Sequence, residues 1–158
     1  MGIHVVLFQP EIPQNTGNIS RTCDCAGATL HLVHPFGFHL TERNLRRAGM
    51  DYFERADIVQ WPSTDAFLEA HAHDELFLFT GRATKCFSAV DFAGLSELEV
   101  FLCFGRESTG LDDEVLERFP ERCVRIPMAQ DRRSLNLANS VSIGLYEALR
   151  QQGYPKLI

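Results

Sequence analysis

Two hydrophobic periods alternate along this chain. Short, mostly apolar runs occur at Ile3–Phe8 (IHVVLF), Thr29–Val33 (TLHLV), Glu75–Thr80 (ELFLFT) and Leu98–Phe104 (LEVFLCF). Their length and their β-branched or aromatic content predict strands buried on both faces. Ala56–Gln60 predicts a further strand, and Cys123–Ile126 a short last one, stopped where Pro127 removes a backbone donor. Between these runs apolar residues recur at three- and four-residue steps. Helices are predicted from about Asn18 to Ala26 with Gly27 closing, over Ser63–Ala72, and over Asp112–Phe119. After a polar loop at 130–134 comes the clearest stripe, Leu137, Val141, Leu145 and Ala148, with Gly153 and Pro155 beyond its end. A short helix is also predicted within HPFGFHLTERNLRRAGMDY, with Thr41 as cap and Gly49 past its end. Strand and helix alternate without linker, repeat or low-complexity tract. That pattern predicts one α/β domain over residues 1–158, built on a mostly parallel sheet with helices on both faces.

Composition narrows the class. Apolar content is 45% and charged content 23%, ordinary for a globular chain. No apolar run approaches the roughly 18 residues of a membrane span, and no basic-then-apolar leader opens the sequence, so a cytoplasmic location is expected. The five cysteines are odd in number and form no CxxC pair. Cys23 and Cys25 make a C-x-C with no second Cys/His cluster to complete a zinc site, so reduced structural thiols and no metal are expected. The net charge of −6 argues against a protein that coats nucleic acid through bulk charge. It leaves room for local grips, and Arg43, Arg46 and Arg47 form one basic cluster while Arg132 and Arg133 form another.

Ligands of α/β sheets bind at the carboxyl ends of strands, and three loops leaving such ends are unusual in composition. The first is PEIPQNTGNISR, where Gly17 stands between Asn15 and Asn18 and Arg21 follows one turn later. Taken alone, that loop is better explained as a tight strand-to-helix connection with a solvated arginine. The second is GRESTG at 105–110, two glycines with Glu107 between them; a turn-rich loop is the plain alternative. The third is the junction before the last helix, where Ser134, Asn136, Asn139, Ser140 and Ser142 crowd together although a helix start needs one cap. That excess suggests a cradle for a polar small molecule, with a well-capped surface helix as the equal alternative. No G-x-G-x-x-G follows the first strand, no P-loop occurs, no G-x-S-x-G marks a hydrolase, and the six histidines include no H-E-x-x-H. His4 and His31, within strands, read as satisfied core or sheet-edge residues.

In that order, N-x-G-N-x-x-R, G-x-E-x-x-G and I-P-M followed by S-L-N-L closely resemble the three motifs of the SPOUT methyltransferases. Within that class the chain looks like the ribose 2′-O-methyltransferases. The segments NTGNISR, HPFGF, LRRAGMDY, FGRESTGL, RIPM, SLNL and GLYEALRQQGYP are most like the single-domain subgroup acting on the tRNA wobble nucleotide. The resemblance implies a C-terminal trefoil knot, a feature no residue pattern would itself have predicted. It also implies S-adenosylmethionine held by Phe79, Gly105, Ile126, Ser134, Leu135 and Asn136, and a homodimer whose site is completed across the interface by the first-motif loop. The catalytic candidate is Arg21. Asn15, Asn18 and Glu107 are expected to shape the loops, and Arg46 and Arg47 to contact phosphate. The substrate implied is the 2′-OH of nucleotide 34, a cytidine or modified uridine, in tRNA. Two alternatives stay open: the same chemistry on another tRNA position or on rRNA, and a cofactor- and RNA-binding module without catalysis. One departure bears on RNA contact: Ala129-Gln130-Asp131-Arg132-Arg133 fills the span between I-P-M and the serine with a doubled arginine.

Overall fold

The computed structural model describes residues 2–38, 56–155 and 157–158. The helix predicted around Thr41–Gly49, together with Arg43, Arg46 and Arg47, lies outside the described residues. Among the described residues the elements are β1 (Gly2–Phe8), α1 (Pro13–Ala26), β2 (Thr29–Val33), β3 (Ile58–Trp61), α2 (Thr64–Ala70), β4 (Glu75–Phe79), β5 (Glu99–Phe104), α3 (Asp113–Arg118), β6 (Cys123–Val124) and α4 (Leu137–Gln151). The six strands form one sheet in the order β3-β2-β1-β5-β4-β6, and every pairing is parallel.

Strand alternation divides the apolar side chains between two cores. On one face Val5, Leu7, Leu30, Leu32, Leu102 and Phe104 pack beneath α1 and α4. On the other, Val6, Phe8, Phe101 and Cys103 pack beneath Phe67 of α2 and Val115 of α3. The predicted α4 stripe is the part of that helix that faces the core, with Val141, Leu145 and Ala148 fully buried. Burying one such side chain contributes on the order of 1.5–3 kcal/mol, so the stripe rather than helix propensity holds α4 on the sheet.

Of the boundaries that differ from those predicted, two have a clear cause. Helix α1 begins at Pro13, five residues before Asn18, with proline in the first turn where its missing N–H costs nothing. Strand β6 is two residues long, because its neighbour β4 ends at Phe79; Arg125 then continues only as an isolated bridge to Cys86.

The last third of the chain leaves the sheet edge at β6 and returns to its middle as α4, which packs against α1, β1 and β5. It is tied to the β4–β5 connection twice. Arg125 N–H donates to the Lys85 carbonyl and Phe87 N–H donates to the Arg125 carbonyl, both at 2.9 Å. At the far end of α4, Phe92 N–H donates to Gln151 Oε1 at 2.9 Å, and Gln152 Nε2 donates to the Phe92 carbonyl.

Candidate active site

The loops that follow β4, β5 and β6 gather at the carboxyl end of the sheet, where the N-termini of α1 and α4 also point. They enclose a cavity of about 920 Å³, within the range that holds small ligands. All six residues expected to hold the cofactor line it: Phe79, Gly105, Ile126, Ser134, Leu135 and Asn136. Its floor is apolar. Phe79 and Phe104 stack there with ring centroids 4.5 Å apart, held from behind by Gly144 of α4.

The rim is built by one continuous set of hydrogen bonds. The Glu107 carboxylate accepts from the backbone N–H of Glu11 at 2.8 Å and of Ile12 at 3.1 Å, and from Asn15 Nδ2 at 3.1 Å. It thereby caps α1, whose own N-cap Ile12 has no side chain able to do so. Asn15 Oδ1 accepts in turn from Asn136 Nδ2 at 3.0 Å. Asn136 is the N-cap of α4, and its Oδ1 accepts from the N–H of Ala138 and Asn139. The crowd of small polar residues therefore resolves into one cap and two hydroxyls turned back on the helix, Ser140 to the Asn136 carbonyl and Ser142 to that of Ala138. Glu11 returns the contact by accepting from the backbone N–H and hydroxyl of Ser108, and these two bonds hold its carboxyl below the usual carboxylate range.

Gly105 is required by the loop's own backbone. A Cβ there would lie 2.1 Å from the backbone of Gly110 and Leu111, because residues 106 and 110 pair back on each other to close the loop. Gly110 itself sits at φ +75°, open to glycine.

Five arginines line the cavity, namely Arg82, Arg106, Arg125, Arg132 and Arg133, although the chain as a whole is acidic. Arg82 pairs with Asp113 at 2.5 Å, and Arg106 pairs with Asp112 and also donates to Gln9. Sequence reasoning named Arg132 and Arg133 but passed over Arg82, Arg106 and Arg125. The last stands directly before the I-P-M run, a position that could have drawn notice.

Arg21 and Asn18 are not among the cavity residues. With Gln14 and Cys25 they form the exposed stripe of α1, at four-, three- and four-residue steps. Arg21 lies six residues beyond Asn15, about 9 Å further along the axis. Beside it α4 exposes its own stripe, Asn139, Ile143, Tyr146 and Arg150, with Ile143 39% and Tyr146 42% exposed.

The histidines read as core residues are such. His4 and His31 join Trp61 and Glu99 in a hydrogen-bonded row on the α2 face. Among the described residues no group of three His, Cys, Asp or Glu side chains could hold a metal, and no helix is long and apolar enough to cross a membrane. Burial pushes the Cys23 thiol up to about 12 and raises Cys103 further, so neither is poised for chemistry.

Comparison with known proteins agrees with this geometry. A sequence model described as the SpoU rRNA Methylase family matches residues 2–146. A tRNA (cytidine(34)-2′-O)-methyltransferase of Aeromonas hydrophila is 46% identical over 153 residues, 96% of each chain. A structure solved to explain 2-OH methylation of C/U34 on tRNA superposes with a TM-score of 0.86 at 43% identity, covering 96% of both chains. An AdoMet-bound rRNA methyltransferase from Sinorhizobium meliloti superposes with a TM-score of 0.81 at 29% identity, over 94% of this chain and 56% of that one.

Proposed function

The chain belongs to the SpoU methylase family and has its α/β knot fold, and from that premise we propose that it methylates the ribose 2′-OH of nucleotide 34 in tRNA. The observation that carries this is the cavity: the N-termini of two helices and three strand-end loops converge on a space of cofactor size. Full-length similarity to enzymes of that activity narrows the substrate to the wobble nucleotide.

The lining fits S-adenosylmethionine. An apolar floor of Phe79, Phe104 and Ile126 suits the flat base and the thioether carbons, while Ser134, Leu135 and Asn136 offer backbone and side-chain hydrogen bonds for its polar groups. When bound, that cofactor supplies a methyl group on a positive sulfur, already activated for displacement. What remains for the chain is to align the ribose and to ease loss of its hydroxyl proton. We assign that task to Arg21. A guanidinium stays protonated in proteins, so Arg21 donates to the 2′ oxygen as charge develops there, and the hydroxyl proton leaves to water.

Arg21 cannot serve the cavity of its own chain from the exposed face of α1. We therefore propose a homodimer in which the α1 and α4 stripes meet their symmetry mates and Arg21 enters the partner's site. Ile143 and Tyr146 supply the apolar and amphipathic bodies that such an interface favours. Asn15 and Glu107 set the angle at which α1 delivers Arg21. Arg46 and Arg47 remain proposed phosphate contacts, and a chain acting on tRNA works in the cytoplasm.

The test is to incubate the protein and methyl-labelled cofactor with total tRNA and to locate the label by nuclease mapping. Label on the ribose at position 34 is expected. Label at another position, on rRNA alone, or on a base would reject this substrate.

A further inference from the structure

The five cavity arginines are not equivalent. Arg82 and Arg106 already have carboxylate partners, Asp113 and Asp112. Arg132 and Arg133 are exposed beside Asp131, which sits at φ 63°. Arg125 differs from all four. It is half-buried, no ion pair engages it among the described residues, and its Nε is shut off from solvent without a hydrogen-bond partner. Its backbone is fixed on both sides, by Lys85 and Phe87, so the guanidinium has little freedom to swing out to water. A desolvated N–H left without an acceptor is costly. The protein retains that cost on the wall of its ligand cavity, one residue before Ile126.

We propose that Arg125 is the receptor for the carboxylate of the cofactor's amino-acid arm. This rests on the reading of the cavity as an S-adenosylmethionine site. That ligand brings one carboxylate into a cavity whose one acidic lining residue among the described residues, Glu107, is occupied with capping α1. A carboxylate leaving water needs a cation and planar donors, and a guanidinium provides both. Arg125 combines an unused donor with partial burial, so binding satisfies ligand and protein together. The outer pair, Arg132 and Arg133, is left for the RNA backbone. The binding arm is thereby fixed at one end by charge while the apolar floor holds the other.

The test compares two ligands by calorimetry: S-adenosylhomocysteine, which has the carboxylate, and 5′-methylthioadenosine, which lacks the whole amino-acid arm. Arg125→Met is expected to weaken S-adenosylhomocysteine at least 30-fold and to change methylthioadenosine by less than threefold. Arg125→Lys, which keeps the charge and loses the fork, should fall between. If Arg125→Met does not fold, Arg125→Lys carries the same comparison with a smaller expected loss, about tenfold. Equal weakening of both ligands would overturn the proposal by making Arg125 a support of the loop. Unchanged binding of both, with weaker tRNA binding and a salt slope reduced by about one, would overturn it in favour of a phosphate contact. Wild-type protein binding neither ligand would instead bring down the cofactor reading on which the proposal stands.

Discussion

Gly144 offers a direct test of how tightly α4 holds the floor of the cavity. A Cβ at that position would lie 2.9 Å from Phe79 Cζ and 3.0 Å from Cε1, with Phe104 Cζ at 3.4 Å. Phe79 is 8% and Phe104 2% exposed, and the two rings are stacked, so neither can tilt away without disturbing the other. Two opposing effects decide the outcome of Gly144→Ala. Alanine favours the helix by about 0.8–1 kcal/mol over glycine. Forcing a methyl into a closed core costs about 1–3 kcal/mol. The contact distances put this site toward the costly end, so a net loss of about 1–2 kcal/mol is expected. Because the displaced ring is cavity wall, cofactor affinity should fall as well. Equilibrium urea unfolding followed through Trp61 gives the first quantity, and calorimetry with S-adenosylhomocysteine the second. Phe79→Leu in the Gly144→Ala background should recover part of both losses, a coupling of about 0.5–3 kcal/mol between neighbours. A Gly144→Ala protein about 1 kcal/mol more stable than wild type, with unchanged affinity, would show that the helix does not press on the ring.

Four further outcomes are expected. Arg21→Ala should lower kcat at least 100-fold, about 2.7 kcal/mol, while S-adenosylhomocysteine binding changes less than threefold; a loss below tenfold in single-turnover assays would remove Arg21 from the chemistry. Asp substituted at both Ile143 and Tyr146 should give a monomer in sedimentation and no activity, and mixing Arg21→Ala with a cavity variant should restore activity only if sites are shared between subunits. Glu107→Gln and Asn15→Ala should each cost about 1–3 kcal/mol, and the double variant less than their sum, since they share one hydrogen bond. Burial, with His4 and His71 close by, depresses His31 from the ordinary 6.5 to about 4. The unfolded chain therefore binds the proton first, so stability is full above about pH 6.5 and falls progressively toward pH 4. Trp61, which donates to His31 Nδ1 at 2.9 Å, reports it, and His31→Gln should flatten that part of the profile.

What the sequence disclosed follows from where the determining contacts lie. β2 was legible to the residue because its own apolar run decides it, and α4 because Leu137, Val141, Leu145 and Ala148 show their period locally. The start of α1 was not legible. PQNTG is poor in helix formers, and the group that caps it, Glu107, stands 95 residues away from Ile12. β6 came out short for a similar reason, since its partner strand stops first. The cofactor residues came from motif resemblance, and the structure brings all six to one cavity. Gly105 was noticed through its motif, and only the structure shows that its missing side chain also makes room for the loop's own backbone. Arg125 was missed because its importance comes from burial and from an unused donor, neither of which a sequence displays.

The Glu107–Asn15–Asn136 bonds also govern how the protein comes into being. They join positions 92 and 121 residues apart, so no short fragment can rehearse the site before nearly the whole sheet is in place. Closing loops of that length is entropically costly and yields its return late, which slows folding. A ligand that bridges both ends of such a closure binds the finished state alone. Saturating cofactor should thus act as a folding additive, raising the melting temperature of the entire chain and slowing its unfolding rather than tightening one loop.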